Sequence, residues 1–324
     1  MSVYPEVSGD KTTFALSDRE PKWFSAGHRV PDGASTLEAM QAAHLTDWAV
    51  RLEPIIFGGR TSLIRHEVQR TSPFDGGVDT IGIVGARYNI FQNEQAFLFA
   101  DELLHGAGQW DALGAIKGGA TVFGAMKLTD ELPGVRDEVI GRYLILHTSH
   151  DGSSNLSVSV VPIRMRCTNA LGLTLKGAKQ TFKVRHSASM SGRVAEAREV
   201  LELSDIYFDA FSASMAKLID ETITINEAVK IVQAVHPLKS DAQNAVTRND
   251  DRIDAIMSIY NGPTCENING TRWGILNAIT EELDWYRRPQ NTKAGVENMD
   301  AAYMGLSGTH SADKDRAFAI VSAF

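Results

Sequence analysis

The stretch "HTSHDGSSNLSVSVVPIRMRCTNALGLTLKGAKQTFKVRHSASMSGR", His147 to Arg193, decides how the rest of the chain is read. Near its start, "HDGSS" is turn chemistry, because Gly152 tolerates positive φ and Asp151 can bond its own backbone. The turn joins "EVIGRYLILHT" to "NLSVSVVPIRMRC", which predicts a β-hairpin. In its second strand Ile163, Met165 and Cys167 alternate with Arg164 and Arg166, so both arginines are expected to project from one face. Pro162 suggests an edge strand or a bulge. From Arg193 onward the apolar period becomes helical and stays so.

Working back from this stretch, more strand signals precede it. Gly118-Gly119 between "QWDALGAIK" and "ATVFGAMKL" is a hairpin signal. Further upstream, "DWAVRLEPIIF", "LIRHEVQRT" and "TIGIVGARYNI" read as strands. Two helices are expected among them: "TLEAMQAAHL", capped by Ser35 or Thr36, and "NEQAFLFADELLH", capped by Asn93. Residues 1–33 have no clear period and read as a polar arm.

Working forward, residues 193–223 read as one helix of about thirty residues. Thr224 and Glu227 form a capping box for the next helix, which Pro237 stops. Two more helical segments follow, and a last one starts at Ser311. The predicted class is α+β: an antiparallel β-sheet or meander with a packed helix, then a helical C-terminal half. The expected division is an arm (1–33), an α+β domain with the basic hairpin (34–190) and a helical region (191–324).

Composition bounds the function. The chain has 324 residues, of which 43% are hydrophobic and 22% charged, so it can bury a core. No apolar run is long enough to span a bilayer, and the first residues lack a signal-peptide pattern, so a cytoplasmic protein is expected. Cys167 and Cys265 are too few for a disulfide framework, and Cys167 is expected to be a small buried apolar residue. Net charge is −8, yet residues 152–195 hold no Asp or Glu and seven cations, which leaves −15 on the remainder.

That asymmetry is what an electrostatic footprint for nucleic acid looks like. Arg164, Arg166, Lys176, Lys179, Lys183 and Arg185 are the expected phosphate contacts, with Lys117 and Lys127 on the neighbouring hairpin. Phe182 is the candidate for stacking on a base. His147, His150 and Asp151 invite a metal-dependent reading, but the turn explains Asp151 and Gly152 without one. No nucleophile elbow, phosphate loop or dinucleotide fingerprint occurs, so no catalytic residue, metal or cofactor is expected.

The segments "ARYNIFQNEQAFLFADELL", "QWDALGAIKGGATVFGAMKL", "LILHTSHDGSSNLSVSVVPIRMRCTNALGL" and "TRWGILNAITEEL" resemble the phage/plasmid-like protein family. That is a domain of unknown function found in bacteriophages, plasmids and prophages. The chain departs from the family form at Ala170, where Thr is usual. The resemblance implies a mobile-element origin and supplies no catalytic residues. The element order is also similar to the core of single-strand annealing proteins such as RecT and Red beta. This implies a protein acting in DNA recombination or replication, assembled as a ring or filament on single-stranded DNA in the host cytoplasm. The alternatives are a protein-binding or structural phage factor, and a metal-dependent nucleic-acid enzyme built on His147, His150 and Asp151.

Overall fold

The N-terminal segment, expected to be an arm, contributes strands. A computed structural model describes residues 5–18, 27–105, 108–132, 136–166, 169–171, 173, 181–186, 193–202, 204–287 and 310–324. β1 (Val7–Ser8) and β2 (Lys11–Thr12) form a small hairpin. β3 (Phe14–Ser17) is buried throughout, and β4 (His28–Val30) runs parallel to it. Short strands of this kind carry too few residues to show a period, so pairing rather than pattern defines them.

The chain divides into two compact units with interleaved segments: Met1–Thr129, Tyr143–Val160 and Gln180–Leu203 in the first, and Asp130–Arg142, Val161–Lys179 and Ser204–Phe324 in the second. Three strands of the chain pass from one of these units to the other. The class itself is α+β, with antiparallel sheets and a helical C-terminal half, as the sequence predicts.

In the first unit, α1 (Thr36–Ala42) starts at Ser35, whose hydroxyl and Glu38 complete a capping box. α2 (Asn93–Leu103) is capped by Gln92 rather than Asn93. Asn93 instead points inward, donating to the Leu45 carbonyl. A three-stranded antiparallel sheet consists of β5 (Arg51–Phe57), β6 (Arg60–Thr71) and β7 (Val78–Gly85). At its base the fully buried Arg70 lies over Trp48 at 4.2 Å and pairs with Asp79 at 3.1 Å.

The larger sheet contains β8 (Gln109–Ile116), β9 (Thr121–Leu132), β10 (Ile140–Ser149), β11 (Leu156–Arg164), β12 (Asn169–Ala170) and β13 (Thr181–Val184). Its order is β12-β11-β10-β9-β8-β3-β4, with β13 also pairing β11. Both predicted hairpins are present, at Gly118-Gly119 and at "HDGSS". β11 is interior, so Pro162 does not mark an edge. It lies between the stretch that pairs β13 and the stretch that pairs β12. Trp48, Phe97, Trp110, Leu113, Leu144 and Val158 belong to the core of this unit. Asp111 is buried there with both oxygens satisfied, by Ser17 at 3.0 Å and the Tyr143 hydroxyl at 2.7 Å.

Of the long helix expected over 193–223, the described residues are helical over α3 (Arg193–Glu202), in the first unit, and α4 (Ser204–Asp220), in the second; residue 203 lies outside the described residues. The second unit continues with α5 (Ile225–Val235), α6 (Gln243–Tyr260), α7 (Arg272–Glu281) and α8 (Ser311–Ala323). The Thr224–Glu227 capping box is present as predicted, whereas α8 begins after His310 with no side-chain cap. α7 is buried over Trp273–Glu281 and continues into a π-helical turn, Glu282–Tyr286. No helix among the described residues is long and apolar enough to cross a membrane.

Candidate nucleic-acid interface

The "HDGSS" turn is built by local bonds and by one close approach. The Asp151 carboxylate accepts from the Ser153 amide at 2.9 Å, and the Ser149 hydroxyl accepts from the Ser154 amide at 2.8 Å. A side chain on Gly82 of β7 would sit 2.6 Å from the Asp151 Cα, so glycine there lets the turn rest on the strand. His150 is fully buried behind the turn. Its Nε2 donates to the Asn93 side-chain oxygen at 2.9 Å, and burial, before any neighbouring charge, lowers its pKa to about 3.

His147 has different partners. Its Nδ1 lies 3.3 Å from the Ser154 hydroxyl, and burial followed by the charge of Lys117 lowers its pKa to about 4. The structure therefore does not join His147, His150 and Asp151 into one constellation. Among the described residues no group of three His, Cys, Asp or Glu side chains could hold a metal ion.

The expected phosphate contacts separate into four sets. Arg164 is fully buried, against the expectation that it faces outward. Its Nε and Nη2 donate to the two oxygens of buried Glu138 at 2.5 and 2.6 Å, and its Nη1 donates to the Thr264 carbonyl at 2.6 Å. Burial alone would raise the Glu138 pKa, but the bonds and charge of Arg164, with bonds from Trp273 and Asn267, hold it below the ordinary value. Phe182 is also buried, stacked on Phe99 at 6.2 Å with the Arg193 guanidinium over its ring at 5.3 Å. Neither residue presents a surface to a ligand.

Arg166 is exposed but belongs to the second unit, and Lys127 is half-buried on β9 opposite Gln109. Lys176, Lys179 and Cys167 lie outside the described residues. The rest converge in the first unit. Lys183 and Arg185 are both exposed and two residues apart, and Ser157 pairs with Lys183 across β11 and β13. Lys117 and Lys183 both act on His147, so these cations share one neighbourhood.

Beside them lies an open cleft of about 660 Å³ lined by Ile64, Arg65, Gly85 to Tyr88, Gly152, Ser154, Asn155, Arg185 and His186. Three exposed arginines line it and no acid does. Among the described residues, no carboxylate pairs with Arg65, Arg87 or Arg185. Its aromatic wall is held by stacking and hydrogen bonds. Tyr88 stacks on His186 at 4.7 Å and 13°, and its hydroxyl donates to the Ser149 carbonyl at 2.7 Å. Because the Asn89 carbonyl can only accept, His186 carries its proton on Nδ1, and Nε2 accepts from Thr148 at 3.2 Å. Burial lowers the His186 pKa, so the imidazole is neutral and the positive charge of the cleft resides on the arginines.

Of the cleft residues, Arg185 is among the contacts expected from the sequence, whereas Arg65, Arg87 and Tyr88 are not. A signal was available, since residues 54–66 and 80–93 are also free of Asp and Glu. These stretches are short and distant in sequence, and only the fold brings them together.

Comparison with known proteins adds one finding. No curated protein and no solved structure matches the chain. The family described as "Domain of unknown function (DUF932)" matches residues 80–304, which include every cleft residue except Ile64 and Arg65. That match covers well over half of the sequence, and the chain belongs to this family of unknown function.

Proposed function

We propose that the chain binds the sugar–phosphate backbone of a single strand of nucleic acid in this cleft. The observation that carries the reading is the convergence of Arg65, Arg87 and Arg185 on a cleft with no acid in its lining. Planar guanidiniums present forked donors that match phosphate oxygens, and Ser154 and Asn155 add neutral donors beside them. Lys117 and Lys183 extend the positive strip along the same unit.

The net charge of −8 does not oppose this. At physiological salt a charge more than about 8 Å away is largely screened, so a strand meets the local field rather than the chain average. Catalysis plays no part in the proposal, because annealing needs only positioning and charge neutralisation. Strand annealing in DNA recombination or replication, by a protein of mobile-element origin that assembles as a ring or filament, is the finer form of the same reading.

Fluorescence anisotropy of a labelled single strand tests it. If the three cleft arginines each neutralise one phosphate, affinity falls with salt at a log–log slope of about −2, steepening toward about −3.5 if Lys117 and Lys183 also take part. A strand that does not bind at low salt defeats the proposal.

A further inference from the structure

Four large apolar side chains stand in solvent at the tip of the β5–β6 ribbon. Phe57 is 87% exposed, Leu63 86%, Ile64 74% and Ile56 69%. Isolated exposed apolar residues are ordinary on a protein surface, but four together on one hairpin tip mark a contact site. The turn that carries them is tight. Gly58 and Gly59 both have positive φ, +57° and +73°, which is the two-residue turn whose twist matches a hairpin.

Register places the tip residues on the two faces. Phe57 pairs with Arg60 and Ile56 with Thr61, so Phe57 and Arg60 share one face and Ile56 and Thr61 the other; the register then shifts before Pro54 pairs with His66, so Leu63, Ile64 and Arg65 stand in an irregular part of β6. Arg60 and Arg65 flank the exposed apolar side chains in sequence. No acid occurs from Pro54 to His66. The ribbon is also continuous with the cleft, because Ile64 and Arg65 form part of its lining.

Resting on the cleft reading, we propose that this ribbon is a base-contacting finger: Phe57, with Leu63 and Ile64, meets the bases of the strand whose phosphates lie at Arg65, Arg87 and Arg185. An occupant that offers apolar faces flanked by negative charge complements a tip that offers apolar side chains flanked by arginines. Apolar wedges of Phe, Leu and Ile are used between bases elsewhere, and a base stacked on an aromatic ring gains affinity whatever its sequence.

The test compares a thymidine oligonucleotide with an abasic one of equal length, bound to the full chain at low salt. The wild type is expected to prefer the base-bearing strand by about tenfold or more. Phe57→Ala with Leu63→Ser, both at exposed positions outside the cleft lining, should bring that ratio close to one and leave abasic affinity unchanged. Arg87→Glu with Arg185→Glu should weaken both strands alike. Equal binding of the two strands by the wild type overturns the finger and leaves the cleft reading intact. Binding of neither strand overturns both. A tip variant that keeps the base preference but lowers the sedimentation coefficient of the free protein shows a contact between copies instead, and also overturns the finger.

Discussion

Replacing Arg164 by Met separates a buried structural pair from a surface phosphate contact. The side chains of Arg164 and Glu138 are both completely buried. Glu138 accepts from Arg164 at 2.5 and 2.6 Å, from Asn267 at 2.7 Å and from the Trp273 indole at 3.0 Å. Methionine deletes two of those four bonds and the compensating charge, leaving a buried carboxylate. Removing one partner of such a pair costs about 3–5 kcal/mol, a large share of the ~5–15 kcal/mol that holds a typical protein together. The sign with pH is also fixed. With Arg164 gone, burial dominates and raises the Glu138 pKa above its unfolded value. The variant's extra penalty is therefore present at neutral pH and shrinks as pH falls through that raised pKa. Adding Glu138→Leu should recover most of the loss, because an apolar pair of similar volume is commonly as stable as the ion pair. Hydrogen exchange of peptides from β11 and α7 reads the second unit locally. Exchange protection in Arg164→Met within about 0.5 kcal/mol of the wild type would refute the reasoning, as would a selective loss of strand affinity without loss of protection.

Two further outcomes follow from buried groups in the first unit. His150 and His147 have pKa values near 3 and 4, below the ordinary 6.5, so the fold favours the neutral rings. Their contribution is complete above about pH 6.5 and is lost as pH falls towards the folded values, about 1.4 kcal/mol for each ring by about pH 5.5. The urea midpoint should drop over that interval while the His150 ring signals show no titration; a midpoint independent of pH contradicts this. Gly124→Ala places a methyl 2.5 Å from the Trp110 ring and 2.9 Å from that of Phe97. Overpacking of this kind costs about 1–3 kcal/mol, read as a lower melting temperature.

The parts of the fold that were legible in the sequence are those set by local chemistry. The Gly118-Gly119 and "HDGSS" turns and the Thr224–Glu227 box each need only a few neighbouring residues, and each stands where it was expected. Alternation misleads at Arg164, because it fixes the face of a strand and not what covers that face. The Val160–Arg164 end of β11 is buried throughout, and the partner of Arg164 lies 26 residues upstream. β3 is defined by pairing with β8 across about a hundred residues, which no local period records. The cleft was the least legible part, since its three arginines come from three separate segments and only Arg185 lies in the basic stretch.

The most direct test of the central claim is the salt dependence of single-strand binding by the wild type and by Arg87→Glu with Arg185→Glu. The account predicts a wild-type log–log slope of about −2 to −3.5, and a variant with weaker binding and a slope smaller in magnitude by about 1.4. Unchanged affinity and slope in the variant would contradict it.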